Sequence, residues 1–164
     1  MLRFLKILFP VSQVFIIVLL LTSCDQSRLY EENFEIPGHM WNKNNSVEFS
    51  PIIEDTLSAQ NIYVNIRNSG NYAFSNLFLF VTTMSPNRQW IKDTIEIQLA
   101  NSKGKWLGSG IGDLFFSRKL YKFYVRFPMK GVYKFSVQQG MRVDDLKGIH
   151  DVGIRIEKAG ISNK

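Results

Sequence analysis

The chain has one sulfur nucleophile, Cys24. A thiol there can accept an acyl group, but with a single cysteine neither a disulfide framework nor a cysteine-based zinc cluster can form. The two histidines, His39 and His150, are too few for a histidine-rich metal site. Asp144, Asp145, His150 and Asp151 cluster in sequence and offer oxygen and imidazole donors. The Asp-rich spacing and closing Glu of a calcium loop are missing, so a solvated hairpin loop is expected there and no metal. Gly104, Gly108, Gly110 and Gly112 lack the Gly-Lys-Ser/Thr ending of a phosphate loop. They predict bulges or a tight strand bend instead. No element marks an activated Ser or Thr nucleophile. A hydrolase reading would need two carboxylates meeting across the fold, which the sequence neither supports nor excludes. No catalytic residue and no cofactor is therefore expected. Trp41, Trp90 and Trp106 remain: they either form an aromatic platform for sugar rings or fill and cap the core, as tryptophan mostly does.

The setting of Cys24 sharpens its chemistry. Arg3 and Lys6 form a basic head, and an apolar stretch follows from Ile7 to Leu21, unbroken only over Val14–Leu21. A bilayer-spanning helix needs about 20 apolar residues, so residues 1–23 predict a cleaved secretory signal peptide. Its end, Leu21-Thr22-Ser23-Cys24, has the form of a bacterial lipobox. In such a motif the thiol is acylated and becomes the first mature residue. One myristoyl chain binds a membrane only marginally, at about 0.8 kcal/mol per buried CH₂; the usual bacterial lipoprotein pattern implies three chains and lasting attachment. Inner or outer membrane stays open, although Asp25 after the cysteine is similar to an enterobacterial inner-membrane retention signal. Loss of residues 1–23 removes Arg3 and Lys6 and lowers the side-chain charge from +6 to +4. No Lys/Arg run is long enough for a nucleic-acid patch, and no nucleic-acid partner is expected.

The elements that would carry such sites come from period-two patterning. The 164 residues, 45% hydrophobic and 13% aromatic, support one domain. Residues 24–45 read as the lipidated cysteine and a polar tether with a Pro37-Gly38 break, and 46–164 as the folded domain. Ile62, Val64 and Ile66 alternate with polar neighbours, as do Ile95, Ile97 and Leu99, then Tyr121, Phe123, Val125 and Phe127. Tyr133, Phe135 and Val137, and Val152, Ile154 and Ile156, complete the series. Each set covers one face of a sheet. The continuous run Leu77–Val81 predicts a strand buried on both faces. Turn signals fall at Asn68–Asn71, Ser85–Asn87, Asn101–Gly104 and Pro128–Gly131. About eight short strands without helical periodicity predict an all-β fold, an antiparallel β-sandwich of jelly-roll or Ig-like type.

The order of motifs resembles a known family, the gliding-motility lipoproteins called GldH. The likeness runs from Leu21-Thr22-Ser23-Cys24 and the Trp41 region through Tyr72–Leu79 and Asp93-Thr94-Ile95. It continues with Trp106-Leu107-Gly108, Gly110, Gly112 and Asp113, then Arg126-Phe127-Pro128, Gly131-Val132-Tyr133, Met141-Arg142 and Ile149–Glu157. The resemblance implies a cell-envelope lipoprotein, non-enzymatic, working with other lipoproteins and membrane proteins of the gliding machinery and linked to its secretion apparatus. The residues themselves leave a glycan-binding module as the alternative, resting on the three tryptophans.

Overall fold

The alternating segments become strands in the computed structural model, which describes Asp25 and residues 27–160. In chain order these are β1 (Arg28–Glu35), β2 (Met40–Asn42), β3 (Val47–Phe49), β4 (Ile52–Ile53), β5 (Gln60–Ser69), β6 (Asn76–Met84) and β7 (Trp90–Gln98). They continue with β8 (Ser109–Ile111), β9 (Leu114–Val125), β10 (Gly131–Val132), β11 (Lys134–Gln139), β12 (Asp145–Lys147) and β13 (Ile149–Lys158). Apart from one 3-10 turn at Pro37–His39, no helix occurs among the described residues. No helix among them is long and apolar enough to cross a membrane. The signal-peptide and lipobox residues, Cys24 included, lie outside the described residues.

Two antiparallel sheets form the sandwich. One has the order β1-β13-β5-β9-β8 and the other β3-β11-β6-β7, with the short pairs β4–β10 and β2–β12 beside them. Strand register explains why the alternation works. Ile62, Val64 and Ile66 of β5 stand opposite Ile156, Ile154 and Val152 of β13, and all six are buried on the same inner face. Leu77, Leu79 and Val81 of β6, with Phe135 and Val137 of β11, meet them from the other sheet. Burial of each such side chain contributes about 1.5–3 kcal/mol. The Asn68–Asn71 turn carries the chain from one sheet to the other, whereas Ser85–Gln89 closes the β6–β7 hairpin through Ser85 N–H donating to the Gln89 carbonyl at 2.8 Å.

The structure differs from the sequence expectation in several places, the solvated loop expected over Asp144–Asp151 among them: Asp145 lies in β12, and His150 and the buried Asp151 lie in β13. Residues 28–42 are not tether. β1 pairs with β13 along its whole length, and Trp41 of β2 is one of the most buried side chains. Polar residues dominate β1 because the sheet's outer face is itself polar and because β1 is an edge strand. Leu77–Val81 is buried on one face only: Phe78 and Phe80 point outward from β6 and are partly exposed, with Lys92 Nζ lying 4.7 Å from the Phe80 ring centre. The alternation of Tyr121, Phe123, Val125 and Phe127 is broken by two register shifts in the β5–β9 pairing. An extra residue at a bulge inverts the sides that follow it, so Phe123 is 69% exposed. Tyr124 takes φ 52°, with its N–H held by Asn61 Oδ1 at 2.9 Å.

Candidate functional site

The polar face of the five-stranded sheet is built around Arg155. Its place on β13, one residue from the inward Ile154 and Ile156, turns the guanidinium to the outer face, yet the side chain is 5% exposed. Arg155 Nη1 donates to Glu31 Oε2 at 2.7 Å, and Nη2 and Nε reach Glu157 Oε2 at 2.8 and 2.9 Å. The same guanidinium binds the carboxylate of Asp25. Glu31 in turn accepts from Arg118 Nη2 and from Asn65 Nδ2, each at 2.9 Å, while Arg118 Nε donates to Asn65 Oδ1 at 3.1 Å. Charge-assisted bonds of this kind are stronger than neutral ones. Hydrogen bonds from Ser27, then Arg155, bring the Asp25 carboxyl down to about 2. Burial alone would raise the Glu31 carboxyl, but the bonds from Arg155 and Asn65 hold it below its ordinary value. Burial would lower the Arg155 pKa, and its three carboxylates raise it instead. The arrangement ties the residue after Cys24 directly to the sheet.

Sequence reading missed this network because its members are far apart, Asp25 and Arg155 being separated by 130 positions. Each alone reads as an ordinary surface charge. The one available signal is Arg155 itself, a charge flanked by two core isoleucines on a strand that continues the inward pattern.

A cleft of about 800 Å³ opens between the two sheets where β7 faces the end of β9. Apolar side chains supply most of its wall, among them Ile62, Trp90, Ile91, Val125 and Phe127. Asp93 of β7 crosses the gap, accepting from Tyr121 Oη at 2.6 Å and pairing with Lys122 Nζ at 2.8 Å. Those two bonds, Lys122's first, hold the Asp93 carboxyl below its ordinary value. Arg88 and Arg126 lie at the same cleft and make no ion pair among the described residues.

The tryptophans do not gather. Trp41 is 1% exposed and donates its Nε1 proton to the Asn45 carbonyl at 2.8 Å. Trp106 is half-buried, its ring centre 5.6 Å from Phe115 and 6.4 Å from Tyr72. Trp90 stands out at 66% exposure on the cleft. A shared sugar platform from all three is therefore not what the fold presents. Nor do the four clustered donors converge: Asp144 pairs with Lys43 at 2.7 Å, and Asp145 accepts from Asn42 Nδ2 at 2.7 Å. The His150 ring stacks on His39 at 3.6 Å, and Asp151 meets Arg67 Nε at 3.2 Å. No group of three metal-ligating side chains forms among the described residues. The glycine stretch is a close strand approach, since a Cβ on Gly110 would sit 2.1 Å from the Leu114 carbonyl oxygen across the β8–β9 hairpin.

Comparison with known proteins adds what geometry alone does not. A family model described as GldH lipoprotein matches residues 28–156. A protein of Christiangramia forsetii named gliding motility lipoprotein GldH homolog is 40% identical over 149 residues, covering 87% of this chain and 91% of its own. Gliding motility lipoprotein GldH of Flavobacterium johnsoniae is 39% identical over 147 residues, covering 85% and 91%. The family match takes in all or most of every strand of the sandwich and both Arg118 and Arg155 of the outer-face network.

Proposed function

The chain belongs to the GldH lipoprotein family, and from that premise we propose that it works as a non-enzymatic, lipid-anchored part of the gliding machinery, held to the envelope by acylation at Cys24 and acting by contact with other proteins of that machinery. The observation that carries the reading is the match over residues 28–156, which spans every sheet of the sandwich. A lipoprotein of this family is membrane-anchored in the envelope, and Leu21-Thr22-Ser23-Cys24 supplies the thiol for the anchor. The tie between Asp25 and Arg155 supports a rigid presentation, because a body fixed one residue from its anchor keeps a defined orientation. At the far end of the same sheet the β8–β9 hairpin tip holds Ile111 at 94% exposure, and Leu107, where the chain leads into β8, is 57% exposed. Apolar residues displayed at that end suit a protein partner reached away from the membrane.

The test is genetic and biochemical. Deleting the gene in a gliding host should abolish colony spreading, and the wild-type gene should restore it. A Cys24→Ala copy should fail to restore it, lose fatty-acid labelling and leave the membrane fraction. Normal spreading by the deletion strain in a host with no second copy would overturn the motility role, and labelling of the Cys24→Ala protein would overturn the anchor.

A further inference from the structure

The strand register places the chain's entry point at one identifiable end of the sandwich. Arg28 pairs with Glu157, Glu157 with Asn61, and Gln60 with Val125, so β1 begins at the end where β13 and β9 finish. Ser27 is fixed there too, its carbonyl accepting from Lys158 N–H at 2.8 Å. Asp25 is held beside it by Arg155 and by Ser27 Oγ at 2.7 Å. Consecutive Cα atoms are about 3.8 Å apart, so the peptide bond to Asp25 leaves an acyl group on Cys24 no long tether. Strands are spaced about 4.8 Å apart, which puts the end of β9 about 14 Å from the start of β1 along the sheet. Bilayer and sandwich end must therefore lie close together.

That end carries side chains a water-facing surface would not favour. Phe123 is 69% exposed and Tyr124 56%, both at the β9 bulge next to Asn61. Trp90 is exposed across the cleft, and Ile52 and Leu57 are 70% and 83% exposed in the segments leading into β5. Aromatic residues with a polar tip favour the headgroup region of a membrane, and isolated apolar side chains insert just beneath it. Arg88 and Arg126, which make no ion pair among the described residues, stand on the same cleft and match the phosphates of that region.

We propose that this end of the sandwich rests on the bilayer that holds the anchor, with Trp90 and Tyr124 in the headgroup layer, Phe123 just beneath it, and Arg88 and Arg126 against lipid phosphates. The inference rests on acylation at Cys24, and it makes the cleft a lipid-facing surface rather than a site for a soluble ligand. It also leaves Ile111 and the β8–β9 tip pointing away from the membrane.

The test uses the full acylated lipoprotein in phosphatidylcholine vesicles containing phosphatidylglycerol, with lipids brominated in the acyl chains as quenchers of tryptophan emission. Brominated vesicles should dim the wild type, and Trp90→Phe should remove more than half of that dimming, because Trp41 and Trp106 are shielded by protein. Arg88→Glu with Arg126→Glu should lower the quenching of Trp90 and remove its dependence on phosphatidylglycerol. An acylated, vesicle-bound protein whose quenching is the same with and without Trp90 would overturn the seating while leaving the anchor intact. A protein partner covering this end instead would give that same result in pure vesicles. Absence of the fatty acid would overturn the anchor reading, and this inference with it.

Discussion

The inner and outer faces of the five-stranded sheet are almost equally buried at their centres and are held by opposite means. On the inside, Val64, Ile66, Val152, Ile154 and Ile156 have no measurable exposure and are held by packing alone. On the outside, Asn65 is 0% and Arg155 4% exposed, and both are held by directed polar bonds. The inner face loses stability in proportion to the volume removed. The outer face loses it when a single partner leaves the remaining charges uncompensated. The same depth of burial thus carries two kinds of vulnerability, one to size and one to charge and pH.

The largest effect that breaks this contrast is expected from the inside. Phe135→Ala, at 0% exposure in β11, should cost about 3–5 kcal/mol, read as a fall in the urea midpoint with little pH dependence. Arg155→Met is the outer counterpart. It keeps the length of the stem but leaves Asp25, Glu31 and Glu157 facing one another, and should cost about 3 kcal/mol at neutral pH. If the outer loss instead vanished at neutral pH, the network would be a surface ornament and the contrast would fail.

How far each face could be read from sequence follows the same division. Strict alternation at Ile62–Ile66, Tyr133–Val137 and Val152–Ile156 revealed the inner face, because packing against an apolar core demands one residue type every second position. Strand β1 was hidden, since an edge strand on a polar face carries no apolar period, and Arg28–Glu35 reads like tether. The bulges in β9 were also hidden: Tyr121, Phe123, Val125 and Phe127 keep perfect spacing, and only the pairing with β5 shows that Phe123 faces out. The outer network could not be read at all, because nothing local links Asp25 with Glu31, Arg118 and Arg155. The resemblance to the GldH family was legible in ordered motifs along the chain; the end of the sandwich at which the described chain enters was legible only in the strand register.

A pH titration sharpens the comparison at lower amplitude. Asp25 and Glu31 hold folded-state pKa values below their ordinary 3.8 and 4.5. A carboxyl whose folded pKa is depressed contributes stability above its unfolded value and loses it as pH falls toward the folded one. Wild-type stability should therefore drop between about pH 4.5 and about pH 2, and Arg155→Met should flatten that drop. Asp151 acts in the opposite sense: burial raises its pKa against the pull of Arg67, so it opposes folding at neutral pH and stops doing so on acidification. Equal acid slopes in wild type and Arg155→Met would show that the outer face is not held by charge.

The smallest effect concerns a side chain that belongs to neither face. Trp90, at the open cleft and 66% exposed, has little packing to lose, and Trp90→Ser should change stability by no more than about 0.5 kcal/mol. Trp41→Ser, by contrast, removes a ring at 1% exposure and its bond to the Asn45 carbonyl, and should be as costly as a core truncation. Chemical denaturation of the two variants in parallel separates them. A residue that is large, aromatic and exposed yet nearly neutral for folding has its reason for being there outside the fold. If Trp90→Ser instead unfolded the domain, the cleft would be part of the core, and the case for its facing lipid would lose its footing.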